Sequence, residues 1–183
     1  MIHEDYVHLL QPADLNPGGT WADLGAGSGA FTLALRELVG PDAILYAVDK
    51  DHARLNDLEG AYRARFGETK NLHVLATDCS RSFDLPPLDG IVMANSLHYF
   101  KDQEKVLRQV QTHLKPNGIL LLVEYNVDSG NPWVPYPLLF ESFRALAPRS
   151  GFSEPRLLAK RPSSFLREFY SALCQQASAK QDR

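Results

Sequence analysis

Apolar positions along the chain alternate between two periods. At 21–24, 44–48, 72–76, 90–94 and 119–125 they form short, nearly unbroken runs, as expected of strands covered on both faces. Between these runs the spacing becomes helical. Phe31, Ala34, Leu35 and Leu38 predict a helix over 29–39, stopped by Gly40-Pro41. Leu55, Leu58, Tyr62 and Phe66 predict another over 51–66, closed by Gly67. Asp102 is placed to cap a third helix that buries Val106, Leu107, Val110 and Leu114. Strands alternating with helices predict a parallel sheet with helices on both faces. After Tyr125 the pattern changes. Residues 126–137 read as a loop, 138–147 as a helix with Leu139, Phe143 and Leu146 on one face, and 156–159 and 165–173 as two further strands. The expected domain is 1–174, with a short N-terminal segment over 1–19 and a polar tail over 175–183.

Composition narrows the class. At 183 residues and 44% apolar content, the chain is long enough for one domain with a real core. The formal net charge is −3 and no basic run stands out, so neither nucleic acid nor an anionic membrane is an expected partner. Cys79 and Cys174 are too few for a disulfide scaffold, and the histidines show no metal-ligand spacing, so no metal is expected. The first fifteen residues carry charges throughout, unlike a secretory signal, and no apolar stretch approaches the ~20 residues that span a bilayer. The expected compartment is the cytoplasm.

The candidate chemistry centres on Asp23-Leu-Gly25-Ala-Gly27-Ser-Gly29, between the first strand and the first helix. Glycines here allow a sharp turn and close approach of a ligand. Gly25, Gly27 and Ala30 also fit the dinucleotide fingerprint, with Asp49 near the spacing of its ribose-binding acid. Charge separates the two readings. A pyrophosphate wants bare N–H groups and a helix N-terminus. S-adenosylmethionine carries a sulfonium and an ammonium beside one carboxylate, and unit charges ~4 Å apart interact by roughly 4 kcal/mol at an effective dielectric near 20. Asp23 favours the cation.

With these residues in view, the chain over 20–173 resembles a class I S-adenosylmethionine-dependent methyltransferase of the small-molecule type. Asp23 to Gly29 is similar to the first cofactor motif. Tyr46-Ala-Val-Asp49 resembles the second, and Ala76-Thr-Asp78-Cys79 the third. Asn95-Ser-Leu-His98 resembles the exit loop of strand four, and Leu114-Lys-Pro-Asn-Gly118 with the following apolar run resembles the turn into strand five. The resemblance implies a single-domain, Rossmann-like α/β fold with a seven-stranded, mostly parallel sheet of order 3-2-1-4-5-7-6, strand seven antiparallel. It implies a cofactor site at Asp23, Gly25, Ala26, Gly27, Gly29, Asp49, Lys50, Asp78, Cys79, Asn95 and Ser96. In it Asp49 takes the ribose hydroxyls, Asp78 the adenine amino group, and Cys79 offers only its backbone N–H to the ring. The methyl would move by in-line displacement to a small molecule, leaving S-adenosylhomocysteine.

His98 follows strand four and is either a general base or a packing residue. Trp133 and Tyr136, in a loop stiffened by Pro132, Pro135 and Pro137, are expected to wall an apolar acceptor pocket with His98, Tyr99 and Tyr125. Two echoes are rejected. Tyr46 and Lys50 have a dehydrogenase-like spacing, but Tyr46 falls in a strand. Asn131-Pro-Trp-Val-Pro-Tyr136 echoes a nucleic-acid methyltransferase signature in the wrong place. A nicotinamide-dependent reductase and a non-catalytic S-adenosylmethionine-binding module are the alternative functions. The acceptor and the oligomeric state are not legible.

Overall fold

A computed structural model describes residues 1–177. Seven strands form one sheet: β1 (Thr20–Leu24), β2 (Ile44–Asp49), β3 (Leu72–Ala76), β4 (Leu88–Ala94), β5 (Leu114–Tyr125), β6 (Arg156–Pro162) and β7 (Glu168–Gln175). Their order is 3-2-1-4-5-7-6, as the resemblance implied. β1 to β5 pair in parallel, and β7 runs antiparallel to both β5 and β6. Five helices cover the sheet: α1 (His3–Leu10), α2 (Ala30–Val39), α3 (His52–Phe66), α4 (Gln103–Gln111) and α5 (Phe140–Arg149). The central strands are buried on both faces, which explains their unbroken apolar runs. On one face Phe31 and Leu35 of α2 and Leu55 of α3 join Leu45, Val92 and Leu121. On the other, Leu107 and Val110 of α4 and Phe143 of α5 join Ile91, Met93 and Leu122. The two aspartates that read as caps act as caps. Asp51 accepts from the N–H groups of Ala53 and Arg54, and Asp102 from that of Lys105.

Several boundaries differ from the sequence reading, each for a local reason. The N-terminal segment is not featureless. Residues 3–10 form α1, followed by a 3-10 turn over Gln11–Ala13, because Leu9 and Leu10 bury against α2. α4 stops at Gln111, where Thr112 and His113 donate back to Gln109 and Val110, so the buried Leu114 opens β5 opposite Leu88 instead of closing the helix. α5 begins at Phe140, whose N–H is taken by the Asn126 side chain. Phe165 and Leu166 lie in a turn rather than in β7, since the Ser163 hydroxyl accepts from both their N–H groups and Arg167 adopts a positive φ. Of the polar tail, Gln175 still pairs in β7 and Gln176 bridges to Phe152; residues 178–183 lie outside the described residues. Among the described residues no helix is long and apolar enough to cross a membrane.

Candidate functional site

The parallel strands bring their carboxyl ends to one edge, where ligands bind in open α/β sheets. The loop after β1 is stitched to β2. The N–H groups of Gly25 and Ala26 both donate to the Val48 carbonyl, at 2.8 and 3.0 Å, and that of Gly27 donates to Asp49 Oδ2 at 2.8 Å. On the other side the loop meets the exit of β4, where the Ser96 hydroxyl donates to the Leu24 carbonyl at 2.8 Å. Gly25 has φ +82°, and a Cβ there would lie 2.4 Å from Ser96 Cβ, so two loops close over a position that only glycine fits. Gly29 serves packing: at φ +92°, its Cβ would run into Leu58 of α3.

Above this loop lies a cavity of about 560 Å³, within the range of small-molecule and cofactor sites. Asp23, Gly25, Ala26, Gly27, Asp49, Lys50, Asp78, Cys79, Asn95, Ser96 and Tyr99 all line it. Residues from the ends of four strands, β1, β2, β3 and β4, therefore converge, while Glu124 at the end of β5 is buried and stays out of the lining. A larger hollow of about 790 Å³ opens at the opposite edge, near Gly18, Asp89 and Asn117, remote from the glycine loop.

The acids of the cavity differ in state. Asp23 is 2% exposed and accepts from the Thr32 hydroxyl at 2.6 Å. Burial pushes its carboxyl up to about 7; the Thr32 bond opposes this, and the Asp49 charge adds to it. Asp49 accepts from Gly27 N–H on one oxygen and Asp51 N–H on the other. Asp78 accepts from both the N–H and the hydroxyl of Ser80 on Oδ1, bonds that hold its carboxyl below the ordinary 3.8. Burial pushes the Cys79 thiol up to about 11, so it stays protonated and is no nucleophile at neutral pH. Asn95 takes a positive φ, and its Oδ1 is buried with no hydrogen-bond partner. A buried acceptor left unpaired at a cavity wall suits a ligand that donates.

His98 lies outside the cavity lining and is 2% exposed. Its Nδ1 is 2.5 Å from Glu124 Oε2, while Glu124 Oε1 accepts from the N–H groups of Leu97 and His98. The fully buried Glu124 thus ties the end of β5 to the exit loop of β4. Gly29, Tyr125, Trp133 and Tyr136 are also absent from the lining. Tyr136 donates its N–H to the His98 carbonyl, so the 126–137 segment does reach the exit loop. Trp133, however, is 70% exposed. The structure therefore keeps Trp133 and Tyr136 out of the cavity lining, with Tyr136 beside His98. Among the lining residues that the sequence reading did not assign to a site are Tyr6, Phe31, Arg54 and Phe100. Tyr6 shares a helical face with Leu9 and Leu10, a signal that the charges of 1–15 obscured.

The comparisons agree with this geometry. A family model for a methyltransferase domain matches residues 3–176. Acetylserotonin O-methyltransferase of Mus musculus is 32% identical over 174 aligned positions, covering 81% of this chain and 43% of the relative. Arsenite methyltransferase of Aquipseudomonas alcaligenes is 30% identical over 175 positions, covering 85% and 50%. The chain spans about half the length of these curated relatives. The solved YcgJ protein of Bacillus subtilis superposes with a TM-score of 0.78 at 14% identity, covering 97% of this chain and 100% of the other, a likeness of fold.

Proposed function

The chain belongs to the class I S-adenosylmethionine-dependent methyltransferase family, and from that premise we propose that it binds this cofactor at the strand-end cavity and methylates a small molecule. The observation that carries the cofactor assignment is how the glycine loop spends its N–H groups. Those of Gly25, Ala26 and Gly27 are consumed by Val48 and Asp49, leaving none of the three for a pyrophosphate. A buried acid, Asp23, and an orphaned acceptor, Asn95 Oδ1, face the same space and suit an ammonium. This disfavours the nicotinamide reading.

When bound, S-adenosylmethionine supplies an activated methyl group and leaves as S-adenosylhomocysteine. The chain's own residues bind and orient. Each Asp49 oxygen accepts one bond within the protein and keeps capacity for a ribose hydroxyl. Asp78 Oδ2, free of the Ser80 bonds, takes the adenine amino group, with Cys79 offering backbone N–H and Lys50 and Ser96 closing the walls. Glu124 fixes the exit loop and, as a carboxylate, requires the proton of His98 on Nδ1. His98 Nε2 is then free to take the acceptor's proton as the new bond to methyl forms. Tyr99 and Tyr125 flank that step, with Tyr136 and Trp133 on the outer side. Two buried free cysteines suit a reducing compartment such as the cytoplasm.

Thermal shift with S-adenosylmethionine, S-adenosylhomocysteine and NADH tests the cofactor. A ligand at a hundred times its Kd adds about 2.7 kcal/mol of stability. The first two compounds should stabilise the protein; stabilisation by NADH alone defeats the reading. Asp49→Ala should weaken S-adenosylhomocysteine roughly 10- to 150-fold by calorimetry while the protein stays folded. Methyl transfer to any member of a metabolite library separates an enzyme from a non-catalytic binding module.

A further inference from the structure

The aromatic residues at the cavity rim do not pack as a closed core. His98 and Tyr99 lie 4.4 Å apart between ring centroids with their planes tilted by 49°, Tyr125 lies 6.3 Å from His98, and Phe165 lies 5.8 Å from Tyr125 in edge contact. Tyr6 enters from α1, 5.0 Å from Phe31. Its position is fixed, since the Asp5–Arg161 ion pair ties α1 to β6 and the His3–Glu37 contact ties it to α2. Two of these rings stay open to solvent, Tyr99 at 56% and Phe165 at 51%. One exposed aromatic ring is ordinary; a linked set of them beside a cofactor cavity marks a binding surface.

The polar ends of the rings point to the same use. Among the described residues, the hydroxyls of Tyr6, Tyr99 and Tyr125 make no hydrogen bond. The Tyr125 phenol is held above its ordinary value of 10, first by burial and then by the nearby Glu124, Tyr99 and Tyr6. Flat apolar faces with several unpaired hydroxyls at their edges match a planar ring carrying polar substituents.

We propose that Tyr6, Tyr99, Tyr125 and Phe165 form the acceptor subsite, and that the acceptor is a planar aromatic molecule bearing its nucleophile on the ring edge. This rests on the methyltransferase reading, and places the acceptor between α1 and the β6–β7 turn instead of against Trp133. The whole protein, saturated with S-adenosylhomocysteine, is titrated with 2-naphthol and with its saturated counterpart, decahydro-2-naphthol, by ligand-observed NMR. 2-Naphthol should bind the tighter of the two, and Phe165→Ala should weaken it roughly five- to tenfold. Tyr125→Leu should do the same, and calorimetry with S-adenosylhomocysteine reports whether each variant is still folded. Equal affinity for the two probes overturns the aromatic subsite. So does unchanged 2-naphthol binding in Phe165→Ala, or a loss confined to Trp133→Ala. Failure of the wild-type protein to bind S-adenosylhomocysteine overturns the methyltransferase reading beneath it, a separate and earlier result.

Discussion

Replacing Asp23 with asparagine should stabilise the ligand-free protein and weaken its hold on the cofactor. The carboxyl is 2% exposed and sits at about 7 against an ordinary 3.8. Between those values the native state keeps a proton that the unfolded chain has lost, so stability falls as pH rises through the window and levels off above 7. The difference corresponds to about 4 kcal/mol at pH 8 and about 1.5 kcal/mol at pH 5. Asparagine still accepts from Thr32 and carries no charge, so the advantage of Asp23→Asn should grow by about 2–3 kcal/mol between pH 5 and pH 8. Glu37, Asp78, Asp89 and Glu168 lie below their ordinary values, so their contributions disappear only as pH falls through the acid range. They are common to both proteins and cancel in the comparison. The acid's destabilisation has a use. An ammonium ~4 Å away returns roughly 4 kcal/mol, the same size as the burial cost, and draws the carboxyl back to its charged form. S-adenosylhomocysteine keeps that ammonium, so its binding should release close to one proton at pH 6 and none at pH 9. Urea titrations at both pH values test the stability term. Calorimetry in buffers of different ionisation enthalpy counts the proton. A variant no more stable than wild type at pH 8, or binding at pH 6 without proton release, would refute the argument.

How much of this was legible in the sequence depends on how local each constraint is. The glycine loop and the acids at 23, 49 and 78 were readable because strand ends and turns declare themselves within a few residues, and a parallel sheet sends them all to one edge. The purpose of a glycine was not. Gly25 yields to Ser96 and Gly29 to Leu58, contacts set by the fold. The Glu124–His98 pair links positions 26 residues apart across neighbouring strand ends, and neither has a neighbour in sequence that hints at the other. Tyr6 belongs to a helix whose apolar face has meaning only once α2 and β6 lie beneath it. Phe165 read as strand because it is apolar, while the Ser163 hydroxyl and the positive φ of Arg167 turn it out into solvent. The cofactor end was thus visible in short motifs. The proposed acceptor end was visible only in part: Tyr99 and Tyr125 were expected there, while Tyr6 of α1 and Phe165 of the β6–β7 turn were not.

Three further substitutions separate packing from chemistry. Gly25→Ala forces a Cβ against Ser96 at a positive φ and should lower stability by about 2–4 kcal/mol in urea. Gly18→Ala, at φ +83° with nothing within 4 Å, carries only the backbone part, about 1–2 kcal/mol, and equal losses in the two would show that the Ser96 contact is not tight. His98→Asn addresses the proton. Asparagine can still donate to Glu124, so the exit loop keeps its anchor, but no imidazole remains to take a proton. If His98 Nε2 takes the acceptor's proton, turnover should fall about 10²- to 10⁴-fold, with cofactor affinity unchanged. If His98 only packs the loop, the variant should lose stability and keep its turnover per folded molecule. Rates on the acceptor found by a labelled-methyl screen, corrected for the folded fraction, distinguish the two: full activity removes His98 from the reaction and leaves the Glu124 pair a structural tie.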